Sequence, residues 1–476
     1  MHIPILRNGT PYRSLTTQPL RHFSTGEKIA EMSLANPGLI SLDILKSRSH
    51  QNSLQALSMQ ELLDICGQAA DVFMDEDLPL GEESLSPAAY VDLQSATTGM
   101  PKSLCRINME KIAGTLREME TILFGLTRGL DLDGLDKGFR LQDGCTISYR
   151  CQADSLGAVL PSNSPGVHAL WIPSIALKVP VVLKPGRQEP WTPHRIAQAM
   201  MAVGCPSEAF SIYPSEHAGA ETILLKCDRS LLFGDQSTVS PWRQDDRVQI
   251  HGPGWSKVLL FDKEAEAWED HLDLMVSSVM ENGGRSCTNA SGIWTTSNGR
   301  MIAEKLAERL TKVRALPLDD PNAQLGAFGN EEIADQVSSK IDQLLRVEGA
   351  FDISQSVRGS SRQIEINGAH FILPTVIFCE RSSHPLAHAE YLFPFVAVIQ
   401  VEEEGMLQAI GTTLVGTVLT QNKVVISQAL SSRSIDRLNL GPIPTHKIAW
   451  DQPHEGNLFE HLFQQRALQS IAGCLP

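Results

Sequence analysis

The chain has 476 residues, more than one hydrophobic core spans, which implies two or three domains of roughly 100–200 residues each. Hydrophobic residues at 42% and charged residues at 20% suit a globular protein in water, and a formal net charge of −15 disfavours nucleic acid or an anionic membrane as partner. No apolar run reaches the ~20 residues of a membrane-spanning helix, so no membrane association is expected. The start Met1-His-Ile-Pro-Ile-Leu-Arg7 is not a basic segment followed by an apolar core, so no signal peptide is expected. The nine cysteines, at 66, 105, 145, 151, 205, 227, 287, 379 and 474, are scattered and form no C-x-x-C pair. That usage fits free thiols in a reducing, cytoplasmic setting, not a disulfide frame or a zinc site. His384 and His388 are separated by Pro385 and have no acidic motif beside them, so a surface loop is expected there and no metal site.

Residues 1 to about 50 read as a loosely ordered arm. Apolar residues at helical spacing predict a helix over Leu54–Phe73, and a second is predicted over Met109–Leu126. After a polar stretch from Gly129 to Gly138, Phe139–Arg150 reads as a short strand pair. From Ser155 onward, short apolar runs and helical segments alternate. The predicted order is strand Leu156–Leu160, helix Val167–Leu177, strand Val179–Leu183, helix Pro193–Val203, strand Phe210–Tyr213, helix Ala218–Lys226 and strand Leu231–Phe233. Such alternation predicts a parallel sheet with right-handed crossovers, whose ligand lies at the carboxyl ends of the strands. The loops at those ends are Pro161–Gly166, Lys184–Gln188 and Gly234–Ser237. A second α/β unit begins near His251, with strands Val258–Phe261, Phe371–Phe378 and Phe395–Gln400 and helices Glu264–Met280 and Met301–Val313. The amphipathic stretch Asn457–Ala467 reads as a terminal segment that docks on a neighbouring subunit.

The segment Glu281-Asn-Gly-Gly-Arg-Ser-Cys287 draws the chemistry together. Its Gly pair stops the preceding helix and turns the chain, leaving Cys287 at the head of a new element. A thiol held near backbone amides can have its pKa lowered, and the thiolate is the nucleophile. The alternative is a buried structural cysteine.

Four stretches across residues 155–400, in order and at compatible spacing, resemble the aldehyde dehydrogenase superfamily. Pro161-Ser-Asn163-Ser-Pro165 is similar to the family's Pro-x-Asn-x-Pro loop, and Val181-Val-Leu-Lys184-Pro185 to its Val-Val-Leu-Lys-Pro strand end. Asn282-Gly-Gly-Arg-Ser-Cys287 resembles its Asn-x-Gly-Gln-x-Cys nucleophile segment, with Arg285 in place of Gln, and Glu390-Tyr-Leu-Phe-Pro394 resembles its Glu-x-Phe-Gly-Pro turn. Each motif alone is weak, whereas four in register are specific. The resemblance implies an α/β fold of two doubly wound parallel-sheet domains plus a small oligomerisation element. These would be a cofactor-binding domain (1–137 and 152–250), a catalytic domain (251–435), and a hairpin and tail (138–151 and 436–476) that assemble a homodimer or homotetramer. It further implies an oxidoreductase that uses NAD or NADP on a small-molecule aldehyde or acyl thioester. Cys287 would attack the carbonyl, and the Asn163 amide and the Cys287 backbone N–H would hold the oxyanion, one such donor contributing about 2.7–4 kcal/mol. Loss of hydride then leaves a thioester. Lys184 would contact the adenosine ribose, Gln236 would belong to the phosphate loop, and Glu390 would bind the nicotinamide ribose. The plainer readings are a loop-capping amide for Asn163, a solubilising strand-end cation for Lys184 and a solvated loop carboxylate for Glu390.

Three departures from the pattern matter. Where hydrolytic members carry a general-base Glu in Glu-Leu-Gly-Gly-Lys, this chain has His251-Gly-Pro-Gly-Trp-Ser-Lys257. Branches lacking that Glu commonly pass the acyl group to coenzyme A, because a thiol needs less help from a base than water does. The reading therefore leans to coenzyme A as co-substrate, with hydrolysis close behind and His251 as either a base or a turn-adjacent histidine. Arg187 stands where the family has a ribose-binding Glu, which favours a 2′-phosphate and hence NADP(H), or else is a surface arginine. Phe233-Gly-Asp-Gln-Ser237 replaces the family's Phe-Thr-Gly-Ser-Thr, and places Asp235 near a pyrophosphate. A protein that kept the fold but lost catalysis is the remaining alternative.

Overall fold

A computed structural model describes residues 1–46, 53–142 and 145–471. It contains two seven-stranded sheets flanked by helices. In the first, the strands run in the spatial order Val248–His251, Arg229–Phe233, Leu156–Val159, Val181–Lys184, Phe210–Ile212, Ile5–Arg7 and Thr10–Tyr12. The first five are parallel, and Leu156–Val159 is buried along its whole length, as a strand covered by helices on both faces must be. The second sheet has the order Ala350–Asp352, Thr375–Cys379, Phe395–Gln400, Ala290–Thr295, Ser256–Leu260, Thr413–Leu419 and Ile435–Leu440. All of its neighbours pair in parallel except Ala350–Asp352 at the edge.

The first 46 residues are not a loose arm. They form five short strands and the helix Pro37–Lys46. Ile5–Arg7 pairs antiparallel to Phe210–Ile212, and Ile3, Ile5 and Leu6 are buried. Strands of two to six residues carrying Pro11 and Pro19 are too short for periodicity to reveal, and burial against the first sheet holds them. The end of the expected arm, from residue 47, lies outside the described residues, as do residues 51 and 52.

Five predicted elements divide in two or more. Leu54–Phe73 is interrupted at residues 56–58, where Ser58 caps the helix Met59–Asp75. Met109–Leu126 is the helices Lys102–Arg117 and Met119–Leu126, joined at Glu118. Val167–Leu177 is a 3-10 turn at Pro165–Leu170 and a short helix at Pro173–Ala176, because Pro173 has no N–H to continue the turn. Glu264–Met280 is broken by a 3-10 turn at Trp268–His271. Phe371–Phe378 splits at Pro374 into Ala369–Ile372, which pairs with Gln363–Ile366, and Thr375–Cys379 of the second sheet.

Two expected boundaries also move. His251 closes the first sheet, pairing with Phe233, and residues 436–440 complete the second sheet instead of starting a tail. The tail docks on its own chain. Phe463–Gln465 makes the third strand of a small antiparallel sheet with Phe139–Gln142 and Cys145–Cys151, and Leu458, Phe459 and Leu462 are buried in the main core. Among the described residues no helix is long and apolar enough to cross a membrane.

Candidate active site

The Cys287 loop is built by backbone geometry that the sequence demands. The helix Leu272–Met280 stops, and Asn282, Gly283 and Gly284 follow with φ of 52°, 65° and 71°. Three left-handed residues in a row need Gly or Asn, and a Cβ at Gly284 would strike Phe393 and Pro394. Cys287 then lies just ahead of the strand Ala290–Thr295. Asn282 fastens the turn, accepting from Asn108 Nδ2 at 2.8 Å and donating to Ser164 Oγ at 3.1 Å. Asn289 donates to the carbonyls of Ser278 (3.2 Å) and Glu281 (2.9 Å). Arg285, where the family pattern has Gln, is buried and donates to the carbonyls of Thr98 and Ala327. Its role is to tether this loop to the helical layer, and burial brings its pKa down to about 10. Ser256 Oγ donates to the Cys287 carbonyl at 2.9 Å, and Gly254 lets the backbone of its loop approach that carbonyl.

A cleft of about 310 Å³ joins Asn163, Cys287, His251, Glu390 and the Phe233–Asp235 loop. Asn163 is therefore in the same cleft as the thiol. Its Nδ2 donates to the Arg285 carbonyl at 2.9 Å, so one amide hydrogen ties the Asn163 loop to the Cys287 loop.

The sequence missed the most consequential neighbour. Glu455 Oε1 accepts from Cys287 Sγ at 2.7 Å, and Glu455 Oε2 lies 3.0 Å from His251 Nδ1. His251 stacks on Phe233 with ring centroids 4.4 Å apart, and its Nε2 is buried without a partner. His251 thus stands behind a carboxylate, and that carboxylate reaches the thiol. Burial opposes ionisation of Glu455, but the hydrogen bond and charge of His251 and the charge of His454 outweigh it and hold the carboxyl down to about 2. Cys287 goes the opposite way from the expectation of an amide-lowered thiol. Burial pushes its pKa well above the usual thiol value, and the charge of and hydrogen bond to Glu455 push it further. The resting thiol is protonated, with its proton aimed at a base.

Glu455 arrives on a strap, residues 446–457, laid across two helices at glycines. A Cβ at Gly125 would meet the Asp451 backbone, and one at Gly114 would lie 3.3 Å from the Trp450 ring. Interior helix glycines cost about 0.5–1 kcal/mol relative to Ala, and here they let the strap lie close. Gly456, at φ 78°, packs on Gln249, whose Nε2 donates to the Glu455 carbonyl at 2.7 Å. These glycines, with His454-Glu455-Gly456, were the only signals in the sequence.

The remaining expected site residues separate into two groups. Glu390 lines the cleft, but its carboxylate oxygens accept from the Gly254 (3.0 Å) and Trp255 amides. Burial pushes its pKa up to about 7, with those amide bonds opposing. It is therefore not a freely solvated carboxylate. Lys184 ends its strand half-buried, with its pKa lowered by burial. Arg187 is exposed and faces Glu216 at 3.3 Å, a surface pair of the weak kind. Gln236 opens a four-residue helix and bonds to Ser240 and Arg243, lying outside the Cys287 cleft. Asp235 caps that helix, accepting from Thr238 N at 2.8 Å.

A cysteine lies between two parallel-sheet units, at a cleft shared with an Asn-bearing loop, in an α/β fold. Residues 13–430 match the aldehyde dehydrogenase family, and the chain belongs to that family of oxidoreductases acting on the aldehyde group. It is similar to 5-carboxymethyl-2-hydroxymuconate semialdehyde dehydrogenase of Escherichia coli, at 24% identity over 82% of this chain and 80% of that protein. It is also similar to the acylating methylmalonate-semialdehyde/malonate-semialdehyde dehydrogenase of Rattus norvegicus, at 23% identity over 54% of this chain and 48% of that one. Among solved structures, an aldehyde dehydrogenase from Burkholderia cenocepacia superposes with a TM-score of 0.76 at 17% identity, covering 100% of this chain and 99% of that one. An aldehyde dehydrogenase from Bacillus cereus solved with NAD+ superposes at 0.77 with 15% identity, covering 98% of this chain and 96% of that one.

Proposed function

We propose that this protein oxidises a small aldehyde through a covalent thioester on Cys287, with NAD or NADP as hydride acceptor and Glu455 as the base. The observation that carries the reading is the 2.7 Å contact between the Cys287 thiol and the Glu455 carboxylate. As sulfur attacks the carbonyl carbon, the thiol proton passes to Glu455, and the charge on the carbonyl oxygen is met by the free N–H of Asn163 and the Cys287 backbone N–H. His251 holds the carboxylate in place through Nδ1. A bound dinucleotide would supply the hydride acceptor for the tetrahedral carbon held on Cys287. The residues for it fit in part: the cleft opens at strand carboxyl ends, where Lys184 and Glu390 would meet the two riboses. Asp235 would stand at the helix start nearest the phosphates, and Arg187, whose exposed contact with Glu216 is a weak surface pair, would remain available to a 2′-phosphate.

Glu455 also changes the balance between acyl acceptors. The lean to coenzyme A rested on a missing carboxylate beside position 251, and the C-terminal strap supplies one. Water activated by Glu455 is therefore the acceptor this geometry favours, releasing a carboxylic acid. Transfer to coenzyme A stays as the second reading because the rat relative is an acylating enzyme. Assembly as a homodimer or homotetramer through the Phe139–Cys151 hairpin, in the cytoplasm, completes the proposal. The test follows reduced-cofactor absorbance with aldehyde and NAD+ or NADP+, with and without coenzyme A. Turnover without coenzyme A that disappears in Cys287→Ala supports the reading. Full activity in Cys287→Ala overturns it, and an absolute need for coenzyme A overturns hydrolysis alone.

A further inference from the structure

The curated relatives named above act on semialdehydes. We propose that the aldehyde taken by this chain is instead uncharged, with an apolar body, and that an acid semialdehyde is rejected. This rests on the Cys287 reading of the same cleft. A carboxylate-bearing substrate needs a cation that is free to receive it. Among the described residues lining the cleft, the permanent cations are Lys111 and Arg285. Lys111 Nζ is 2.5 Å from Glu281 Oε1, and Arg285 donates to two backbone carbonyls. Arg437, near the strap, donates to the Thr445 and Lys447 carbonyls and faces His454. Against these stand four carboxylates in the same cleft, Asp235, Glu281, Glu390 and Glu455. His454 already faces Glu455 Oε1 at 4.0 Å and the Arg437 guanidinium at 3.1 Å, and burial lowers the pKa of both His446 and His454. A fifth carboxylate brought beside Cys287 would be desolvated next to Glu455 with no partner.

The apolar side of the site points the same way. Leu170, Ile448 and Trp450 line the cleft and also line an adjoining chamber of about 60 Å³, which continues past Ile122, Leu126 and Leu458. The Trp450 ring reaches this wall because Gly114 has no side chain beneath it. That chamber is also lined by Gln249, His251, Gln452, His454 and Glu455, but alkyl and indole carbon supplies most of its surface, which fits a short hydrocarbon tail.

The experiment compares hexanal, succinate semialdehyde and the methyl ester of succinate semialdehyde on the full-length wild-type protein with NAD+ and NADP+. Expected is a kcat/KM for hexanal at least ~100-fold above that for succinate semialdehyde, the methyl ester recovering most of the difference because only the charge has gone. Equal or better use of succinate semialdehyde overturns the inference. If no aldehyde is oxidised, the covalent reading fails, and binding of unreactive amides then decides the inference separately. Hexanamide should raise the melting temperature more than succinamate does, and the reverse order overturns it.

Discussion

Replacing Glu455 by Gln keeps the side-chain shape and an oxygen for His251 Nδ1, but removes the charge that faces the Cys287 thiol at 2.7 Å. A positioned general base contributes roughly 100- to 10,000-fold to rate, equivalent to about 3–5 kcal/mol of barrier. Glu455→Gln is therefore expected to lower kcat by roughly 100-fold or more. Its second effect has the opposite sense. The thiol pKa is raised by burial and by the Glu455 charge, so removing the charge lets Cys287 ionise at lower pH. Iodoacetamide labelling of Cys287, followed by peptide mass spectrometry across pH, should show its midpoint moving down while turnover falls. A purely structural role does not produce that pair of changes. Undiminished kcat together with an unmoved labelling profile would refute the assignment of Glu455 as the base.

Three further outcomes follow from the same geometry. Because His251 and His454 overcome burial to hold the Glu455 carboxyl down to about 2, it contributes stability that is present above its ordinary value of 4.5 and is lost as pH falls towards about 2. Wild type should accordingly lose more melting temperature across that window than Glu455→Gln does, as read by calorimetry. Gly125→Ala would gain about 1 kcal/mol in a free helix, yet its Cβ meets the Asp451 backbone, so both melting temperature and kcat should fall, and a rise in melting temperature would contradict the close strap. Arg285→Ala strands the Thr98 and Ala327 carbonyls at about 1–3 kcal/mol each, seen as a lower denaturant midpoint.

What could be read from residue order was local chemistry repeated along the chain. The strands from Leu156 to Phe233 show because each is a short apolar run closed by Pro, Gly or a charged residue. The nucleophile turn shows because only Gly and Asn tolerate its left-handed backbone. The first 46 residues did not show, because their strands are held by pairing with Phe210–Ile212 and by burial, not by any pattern of their own. Glu455 was hidden for a related reason. It lies 168 residues from Cys287, just ahead of the amphipathic stretch Asn457–Ala467 that reads as docking on another subunit. The same long reach explains why His251 looked like the missing base: aligned on local motifs, it fills that position, and only the tertiary fold sets a carboxylate between it and the thiol.

The most direct test is mass spectrometry of Glu455→Gln mixed with hexanal and NAD+ or NADP+ and quenched in acid. Slowed release should leave an acyl group, two hydrogens lighter than the aldehyde adduct, on the peptide carrying Cys287. Oxidation of the aldehyde by the wild-type protein with no such adduct on Cys287, or with the adduct on a different cysteine, would contradict a covalent mechanism at this site.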